Sequence, residues 1–374
     1  MIKILHFITD TNIGGAGNLL CNQIKNMNMG EFSITVALPQ KSDLIKKLAP
    51  LPCSLIECQH SADMSFSVAS IKENIKIIQE VKPDIVHSHA SFSSRIAATL
   101  LKVPCRIFTR HCVFPVSDIY KSPIIKLGFR AANDIFSTSI VTVADSARKN
   151  LLDMGCRDKM ITTIINGSEQ IREFSPEEIA FVREKYGLSR KNFVISIFAR
   201  LEEYKGQKTF LKAAQICKKY YPNFRFFIVG DGSQRKELEK LSKSLGIDDI
   251  VHFTGFCTDT APIFNITDLN VNCSYGTETS SLALSEGMSL GIPAVASDYG
   301  GNPHMVKNAV NGLLFPARNA EALAMAIIRL YRDTGLYSKC SLGALRRYKE
   351  EFTAQVMTEK MMNFYKKEYA KTKK

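Results

Sequence analysis

Residues Val271–Pro303, VNCSYGTETSSLALSEGMSLGIPAVASDYGGNP, hold in one run a strand end, an acidic loop, a helix, a second strand and a glycine turn. The apolar run Leu269–Val271 leads into it. Glu278 sits in the polar loop, and Glu286 follows eight residues on. Thr279-Ser280-Ser281 is helix-start chemistry, because a short hydroxyl side chain can cap unpaired amides. A helix beginning at Ser280 or Ser281 presents its first N–H groups and the positive end of its dipole, which suits an anion such as phosphate. Glu286 then lies about 7–8 Å further along the helix, at 1.5 Å per residue. One carboxylate can meet groups beyond a bound phosphate and the other groups before it. A molecule with a sugar on each side of a diphosphate has that layout. Taken alone, the two glutamates also fit a solvated loop residue and a surface helix residue. Against that, Glu286 has Leu282, Leu284, Met288 and Leu290 as neighbours, and a carboxylate in apolar company needs a partner. Pro293–Ala296 reads as the second strand and Tyr299-Gly300-Gly301-Asn302-Pro303 as the closing turn.

Outward from this run, strands and helices alternate. Upstream, strands are expected at Phe193–Phe198, Arg225–Val229 and Val251–Phe253, with Leu269–Asn272 and Ala294–Ser297 inside the run itself. Helices are expected at Gln207–Lys218, Ser233–Leu245, Thr260–Asn265 and Ser281–Leu290. Two strand–turn–helix junctions stand out. Ala199-Arg200-Leu201-Glu202-Glu203-Tyr204-Lys205-Gly206 puts two cations, Arg200 and Lys205, at a strand end where they can hold a diphosphate. The bland alternative pairs them with Glu202 or Glu203. Val229-Gly230-Asp231-Gly232 is a second glycine junction.

The first half repeats the alternation. Strands are expected at Ile2–Ile8, Ser33–Leu38, Ser54–Ile56, Ile85–His87, Arg106–Thr109, Ile140–Val143 and Ile161–Ile164. Helices are expected from about Asn18 to Met27 and at Ser42–Leu48, Ser67–Val81, Ser93–Leu101, about Ile119–Phe136 and Ser146–Met154. Such alternation implies parallel, doubly wound sheets with ligands at the C-terminal strand ends. That rule points to Gly14–Gly17, with Gly15 and Ala16 where backbone can approach a phosphate, to His87 and His89, and to Arg110 and His111. Each histidine is also open to being an ordinary polar loop residue. The strand pattern stops near Asn166-Gly167-Ser168. Glu173–Tyr186 reads as a charged helix with Ser175 as N-cap and Pro176 at its first position. The expected domains are residues 1–170 and 171–352. Helices are expected at Ala320–Tyr331, Leu336–Glu350 and Thr353–Tyr369. The last of these, residues 353–374, is expected to return to the first domain.

A chain of 374 residues with 45% apolar and 23% charged content is long enough for two globular domains. The opening MIKILHFITD has too short an apolar run for a secretory signal, and no stretch reaches the roughly 18 apolar residues of a membrane span. The ten cysteines form no CxxC pair, and Cys53, Cys105 and Cys273 lie in apolar runs. They read as reduced core thiols of a cytoplasmic protein, with no metal site. The formal charge of +13 comes without a basic stripe interleaved with aromatics, which excludes a nucleic-acid motif and leaves an anionic membrane surface or anionic substrates. Part of it is the basic end, Lys366, Lys367, Lys371, Lys373 and Lys374. Phe114–Phe136 mixes Ile119, Ile124, Ile125 and Leu127 with Lys121, Lys126 and Arg130, a pattern that suits a membrane-surface helix, although Pro123 interrupts it.

Together these residues resemble family 4 of the retaining glycosyltransferases. Glu278 and Glu286 match the family's E-x7-E element. Ala199–Gly206 matches its Gly-Arg-Leu…Lys-Gly element with Ala199 for the glycine. Val229–Gly232 and Gly255-Phe256 also match. So do the Gly-Gly loop, Pro83–His89, Thr109-Arg110-His111 and Ile165-Asn166-Gly167 in the first half. The resemblance implies the α/β fold called GT-B, two Rossmann-like doubly wound domains facing across a cleft. It implies that Arg200 and Lys205 neutralise the diphosphate of a nucleotide sugar. Glu286 would hold the ribose and Glu278 the donor sugar. Ser281 and Leu282 would offer N–H donors, Gly230 and Phe256 would border the nucleotide, Gly15 and Ala16 would approach the diphosphate, and His111 would lie near the reacting sugar. No cofactor and no metal are expected. The expected donor is a UDP-sugar, and the acceptor a glycan or lipid-linked molecule at the inner membrane face, in bacterial cell-surface polysaccharide assembly. A nucleotide-sugar epimerase of the same fold is the alternative enzyme, and a two-lobed sugar-binding protein the non-enzymatic one. Besides Ala199, the sequence departs from the family in two further places. Thr279-Ser280-Ser281 replaces Gly-Phe-Gly or Pro-Phe-Gly, and His304 stands where an acid is usual.

Overall fold

The computed structural model describes residues 1–113 and 116–373; Phe114 and Pro115 of the membrane-surface segment, and Lys374 of the basic end, lie outside the described residues. The chain forms two compact units, Met1–Ser168 together with Ala354–Lys374, and Glu169–Thr353. The strands of the first are β1 (Ile2–Ile8), β2 (Phe32–Pro39), β3 (Ser54–Cys58), β4 (Ile85–His89), β5 (Cys105–Arg110), β6 (Ser139–Thr142) and β7 (Ile161–Thr163). Those of the second are β8 (Phe193–Phe198), β9 (Phe224–Val229), β10 (Val251–Gly255), β11 (Leu269–Asn272), β12 (Ala294–Ser297) and β13 (Gly312–Phe315). The orders are β3-β2-β1-β4-β5-β6-β7 and β10-β9-β8-β11-β12-β13, and every strand pairing is parallel. This is the GT-B architecture of two Rossmann-like halves.

Strand periodicity decides which core each side chain joins. In β1, Ile4 and Ile8 enter one cluster with Leu20, Ile24 and Met361, while Leu5 and Phe7 enter the other with Ile77, Ile78 and Ala97. In the second unit Ile195 and Ile197 face Phe210 and Leu323, and Val194 faces Ile263 and Val182. Both sheets are therefore covered on both faces, which is why their strands read as apolar runs.

The helix Ala354–Lys371 completes the first unit. Its Met357, Met361, Phe364 and Tyr365 are buried in the same cluster as Ile4 and Val36. The Tyr365 hydroxyl is satisfied by Gln23 Nε2 at 3.0 Å and His87 Nδ1 at 2.6 Å.

Several elements differ from expectation for identifiable reasons. The first helix runs Gly15–Lys25, so the glycine run is its first turn and not a preceding loop. Gly17 is fixed by packing, since a Cβ there would come within 2.9 Å of Leu44. Pro123 starts the helix Pro123–Phe136, where its missing N–H costs nothing, after a 3-10 turn at Asp118–Lys121. The charged helix has Ser175 as its N-cap and Pro176 at its first position, as expected, so Glu173 and Phe174 lie outside it, and Ser175 and Glu178 form a reciprocal capping box. The short strand β13 went unpredicted because four residues, Gly312-Leu313-Leu314-Phe315, carry no alternation.

Phe364→Ala should lower the stability of the first unit by about 3–5 kcal/mol, the cost of emptying a buried aromatic site. Urea denaturation followed by far-UV circular dichroism measures this. A change near zero would show that the helix adds nothing to that core.

Candidate functional site

In doubly wound sheets the ligand crevice lies at the C-terminal strand ends where the strand order reverses. Here the reversals fall between β8 and β11 and between β1 and β4. The second unit brings Lys205 and Glu278 together at the first of these. Lys205 ends the 3-10 turn Glu203–Lys205, and Gly206 follows in the left-handed region with φ 77°. A Cβ on Gly206 would meet the Cys273 carbonyl oxygen at 2.2 Å, so only glycine lets this turn lie against the end of β11.

Lys205 Nζ donates to Glu278 Oε2 at 2.9 Å. Ser274 Oγ donates to the same oxygen at 2.6 Å and Asn272 Nδ2 at 3.4 Å. The other oxygen, Oε1, accepts no hydrogen bond among the described residues. Burial pushes the Glu278 carboxyl up, but the Lys205 charge and the three hydrogen bonds outweigh it, and the group stays ionised below its usual range. Behind the pair, Asn302 Nδ2 donates to Ser297 Oγ at 3.0 Å and to Asn272 Oδ1 at 3.3 Å. Ser297 Oγ in turn donates to the Ser274 carbonyl.

The closing glycine turn presses directly on this loop. A Cβ on Gly300 would meet the Glu278 carbonyl oxygen at 2.3 Å, and one on Gly301 would overlap the Thr279 carbonyl oxygen at 1.3 Å. Thr277 is held left-handed at φ 52°, a costly conformation for a β-branched residue that the surroundings must impose. The helix Leu282–Ser289 follows, with Ser281 Oγ capping the Leu284 amide at 3.4 Å. The Ser281 N–H itself is spoken for, lying 3.1 Å from the Met305 sulfur. Leu282 and Ala283 are thus the helix-start amides without an intrahelical acceptor. Glu286 is half-buried on that helix. A small pocket lies beside it, lined by Ala199, Lys205, Asn272, Ser274, Ser281 and Leu284.

Arg200 is exposed, and its guanidinium reaches Tyr204 Oη at 3.4 Å. Neither Glu202 nor Glu203 pairs with it; Glu202 accepts from Ser233 Oγ at 2.9 Å. The Val229–Gly232 junction is stitched to the same loop by Ala199 N–H to Val229 O at 3.0 Å and Leu201 N–H to Asp231 O at 2.9 Å. Gly230, at φ 137°, has no room for a Cβ, which would lie 2.1 Å from the Ala199 carbonyl oxygen. Phe256 follows and is 68% exposed. His304 stands 3.9 Å from Glu351 Oε2, so a carboxylate from the turn Tyr348–Phe352 comes close to the place of the missing acid.

In the first unit His87 and His89 are not loop residues. They are buried on one face of β4, beside His6 of β1. Their nitrogens, with those of His6, lie within 4.8 Å of one another, the one such metal-sized group found among the described residues. Hydrogen bonds already occupy all of these nitrogens except His6 Nε2. His87 meets Tyr365 Oη and Thr109 Oγ1, both at 2.6 Å, His89 Nε2 meets His6 Nδ1 at 3.0 Å, and His89 Nδ1 meets His111 Nε2 at 2.9 Å. We read them as a hydrogen-bonded cluster. Gly15 and Ala16 open the first helix, and a Cβ on Gly15 would meet nothing within 4 Å.

The sequence reading missed Asn272, Ser274, Ser297 and Asn302. The available signal was the polar pair following the apolar run of β11, and an asparagine directly after the two glycines.

Residues 178–347 match the family model described as glycosyl transferases group 1, and residues 13–169 the model described as glycosyltransferase family 4. The chain is 26% identical over 305 residues to the putative glycosyltransferase EpsD of Bacillus subtilis, covering 78% of this chain and 80% of that one. It is also 26% identical over 339 residues to the UDP-Gal:alpha-D-GlcNAc-diphosphoundecaprenol alpha-1,3-galactosyltransferase of Escherichia coli, covering 84% and 86%. Among solved structures, a glycosyltransferase of Rickettsia africae superposes with a TM-score of 0.84 at 20% identity, covering 98% of each chain. Anabaena HepE in complex with UDP-glucose gives a TM-score of 0.82 at 22% identity, covering 98% of this chain and 100% of that one.

Because its folded pKa is lowered, Glu278 contributes stability that is complete above the unfolded value of about 4.3 and fades as pH falls through the lower folded value. In Lys205→Met, burial acts without its countercharge and pushes the carboxyl up. The ionised carboxylate should then cost about 3–5 kcal/mol near neutrality. That loss should shrink as pH falls from 7 toward 5, because protonation relieves the variant's raised carboxyl while the parent, still above about 4.3, keeps its full contribution. Urea denaturation at both pH values tests the difference. Parent-like stability of the variant at pH 7 would show that Lys205 is not what compensates the carboxylate.

Proposed function

The chain belongs to family 4 of the retaining glycosyltransferases, and we propose that it moves the sugar of a UDP-sugar onto a glycan or lipid-linked acceptor in cell-surface polysaccharide assembly. The observation that carries this reading is the buried Glu278 carboxylate. One of its oxygens is saturated by Lys205, Ser274 and Asn272, and the other is open to a ligand hydroxyl. The relatives named above are glycosyltransferases and nothing among them favours an epimerase. UDP is taken as the nucleotide because the E. coli relative is named for UDP-Gal and the Anabaena neighbour holds UDP-glucose.

The chemistry follows from placement. As the bond between the anomeric carbon and the phosphate oxygen breaks, negative charge grows on the diphosphate. Lys205, Arg200 and the Leu282 amide meet that charge with fixed positive ends, and a site already organised for it lowers the barrier. This makes a divalent metal unnecessary for the step. Glu278 takes the donor-sugar hydroxyls on Oε1, and Glu286 takes the ribose. The exposed Phe256 ring and the Gly230 turn border the base. The open side of Gly15 and the amide of Ala16 suit a close phosphate contact, and His111 serves the reacting sugar. The second unit would carry the donor and the first the acceptor.

Contact with an anionic membrane surface is part of the proposal. The helix Pro123–Phe136 exposes Ile124 (80%), Leu127 (63%) and Ile135 (54%) and also carries Lys126 and Arg130. Apolar side chains can enter the headgroup region while the cations meet anionic lipid. Among the described residues no helix is long and apolar enough to cross a membrane.

Screening UDP-, GDP- and ADP-sugars for thermal stabilisation and slow hydrolysis should single out one UDP-sugar. Arg200→Ala should reduce turnover by about 10²–10³-fold, the usual effect of removing one preorganised charge-stabilising group. Glu278→Ala should lose donor discrimination, and EDTA should leave turnover unchanged. Binding of no sugar nucleotide, or parent-like turnover in both variants, would sink the assignment. Separately, the protein should float with vesicles rich in phosphatidylglycerol, and Ile124→Glu combined with Leu127→Glu should abolish flotation. Flotation unaffected by the double change would move the membrane contact elsewhere.

A further inference from the structure

Arg95, on the helix Phe92–Leu100 of the first unit, is 8% exposed. A guanidinium carries five N–H donors and stays charged inside proteins. Here one acceptor meets it among the described residues, Asn133 Oδ1, 2.9 Å from Nη2. Its Nε is buried with no hydrogen-bond partner. The Phe92 and Phe108 rings lie 5.2 and 4.7 Å from the guanidinium carbon. The acidic group whose charge bears on it is the Cys156 thiol, which burial pushes up to about 11 and so keeps neutral near pH 7. Burial pulls Arg95 itself down only to about 10, so the cation persists. Two ring faces and one amide oxygen replace part of the water that a buried cation gives up, and a charge so placed is ordinarily paired.

The surface beside this cation is apolar. Met64, Phe66 and Val68 are 50%, 54% and 60% exposed on the segment that leads into the helix Val68–Val81. Backbone bonds hold that segment in place. The Ser65 carbonyl accepts the Phe92 and Ser93 amides at 2.7 and 3.0 Å, and the Ser67 amide donates to Ser93 Oγ at 2.9 Å. The same Phe92 ring that faces Arg95 packs against Phe66, with centroids 6.3 Å apart, and edge-on against Phe136 at 5.2 Å. Phe136 ends the helix Pro123–Phe136, so the patch runs on to the face already proposed to meet the membrane.

We propose that Arg95 is the anion-binding floor of a lipid-phosphate site, in which the phosphate or diphosphate of an amphiphile pairs with the guanidinium and its hydrocarbon chain lies along Phe92, Phe66 and Phe136. This rests on the lipid-linked reading of the acceptor made above and gives its headgroup a place in the first unit. Both halves of such a ligand are called for. A bare anion has no use for the exposed apolar rim, and an apolar molecule leaves the buried cation unpaired.

The test measures binding to the full chain by equilibrium dialysis with three probes: farnesyl diphosphate, inorganic diphosphate and farnesol. Farnesyl diphosphate should bind about tenfold or more tighter than either of the others, and saturating UDP should not displace it. Arg95→Met should weaken it about 30-fold or more, the usual effect of removing one partner of a buried charge pair. Equal affinity for inorganic diphosphate would leave an anion site without a lipid, and equal affinity for farnesol an apolar patch without an anion site; either overturns the proposal. So does displacement by UDP, which would put the diphosphate at the donor site, or parent-like affinity in Arg95→Met. If Arg95→Met does not fold, Phe66→Ser combined with Val68→Ser carries the test, because both side chains are exposed. That variant should lose about tenfold in affinity for farnesyl diphosphate and keep its affinity for inorganic diphosphate, and parent-like binding of both would overturn the apolar lane. None of these readouts needs turnover, so a chain that hydrolyses a UDP-sugar yet ignores farnesyl diphosphate refutes the lipid-phosphate site alone.

Discussion

A buried carboxylate is the constraint around which the second unit is built. Glu278 is 6% exposed, and such a group stays ionised only if charge and hydrogen bonds replace water. The replacement comes from three places in the chain. Lys205 arrives from the loop after β8, Asn272 and Ser274 from the end of β11, and Asn302 braces Asn272 from beyond β12. Each arrival has its own steric condition. Gly206 must sit against the Cys273 carbonyl, and Gly300 and Gly301 must press on the carbonyls of Glu278 and Thr279. Removing one partner of such a pair costs about 3–5 kcal/mol, a large share of the 5–15 kcal/mol that holds a typical protein folded. The left-handed Thr277 fits this picture, as local strain in a loop that many contacts over-determine.

Most of the frame was readable because both sheets are buried on both faces. Such strands are nearly continuous apolar runs, and β1, β8, β11 and β12 fall where the runs of Ile, Val, Leu, Phe and Ala place them. Glu278, Lys205 and Arg200 were readable as polar residues directly beyond those runs. What escaped notice depends on distance in sequence. No local pattern tells that the Ser281 amide faces the sulfur of Met305, or that Asn302 reaches Asn272. His87 and His89 were open to a loop reading because imidazoles interrupt an apolar run. Only the packed structure shows that Tyr365, distant in the chain, makes a strand position there tolerable. The first helix was placed three residues late because glycine is a weak helix former, yet the first turn tolerates it.

The two sheets share a strand order but treat their reversal points differently. Between β8 and β11 the polar groups are ionised and paired. Between β1 and β4 they are imidazoles, held neutral and linked to one another. A neutral ring costs far less to bury than a charge, so the first unit can place its polar cluster deep in the sheet, while the second keeps its ion pair at the strand ends. The deep cluster still has one nitrogen, His6 Nε2, that meets no hydrogen-bond partner among the described residues.

The return of the helix Ala354–Lys371 to the first unit has a consequence for biosynthesis. All of Glu169–Thr353 lies between the two segments of that unit. A ribosome delivers the seven strands of the first sheet early, but the side chains that close its core, Met361, Phe364 and Tyr365, emerge only after the second unit has been made. The usual order of N-terminal folding first is therefore inverted. The inserted half can reach its native state during translation, while the opening half waits with an apolar face uncovered. A nascent chain of this design exposes its early sheet to chaperones and to misassembly for as long as the intervening residues take to synthesise. Translation speed across the insert thus becomes a determinant of yield.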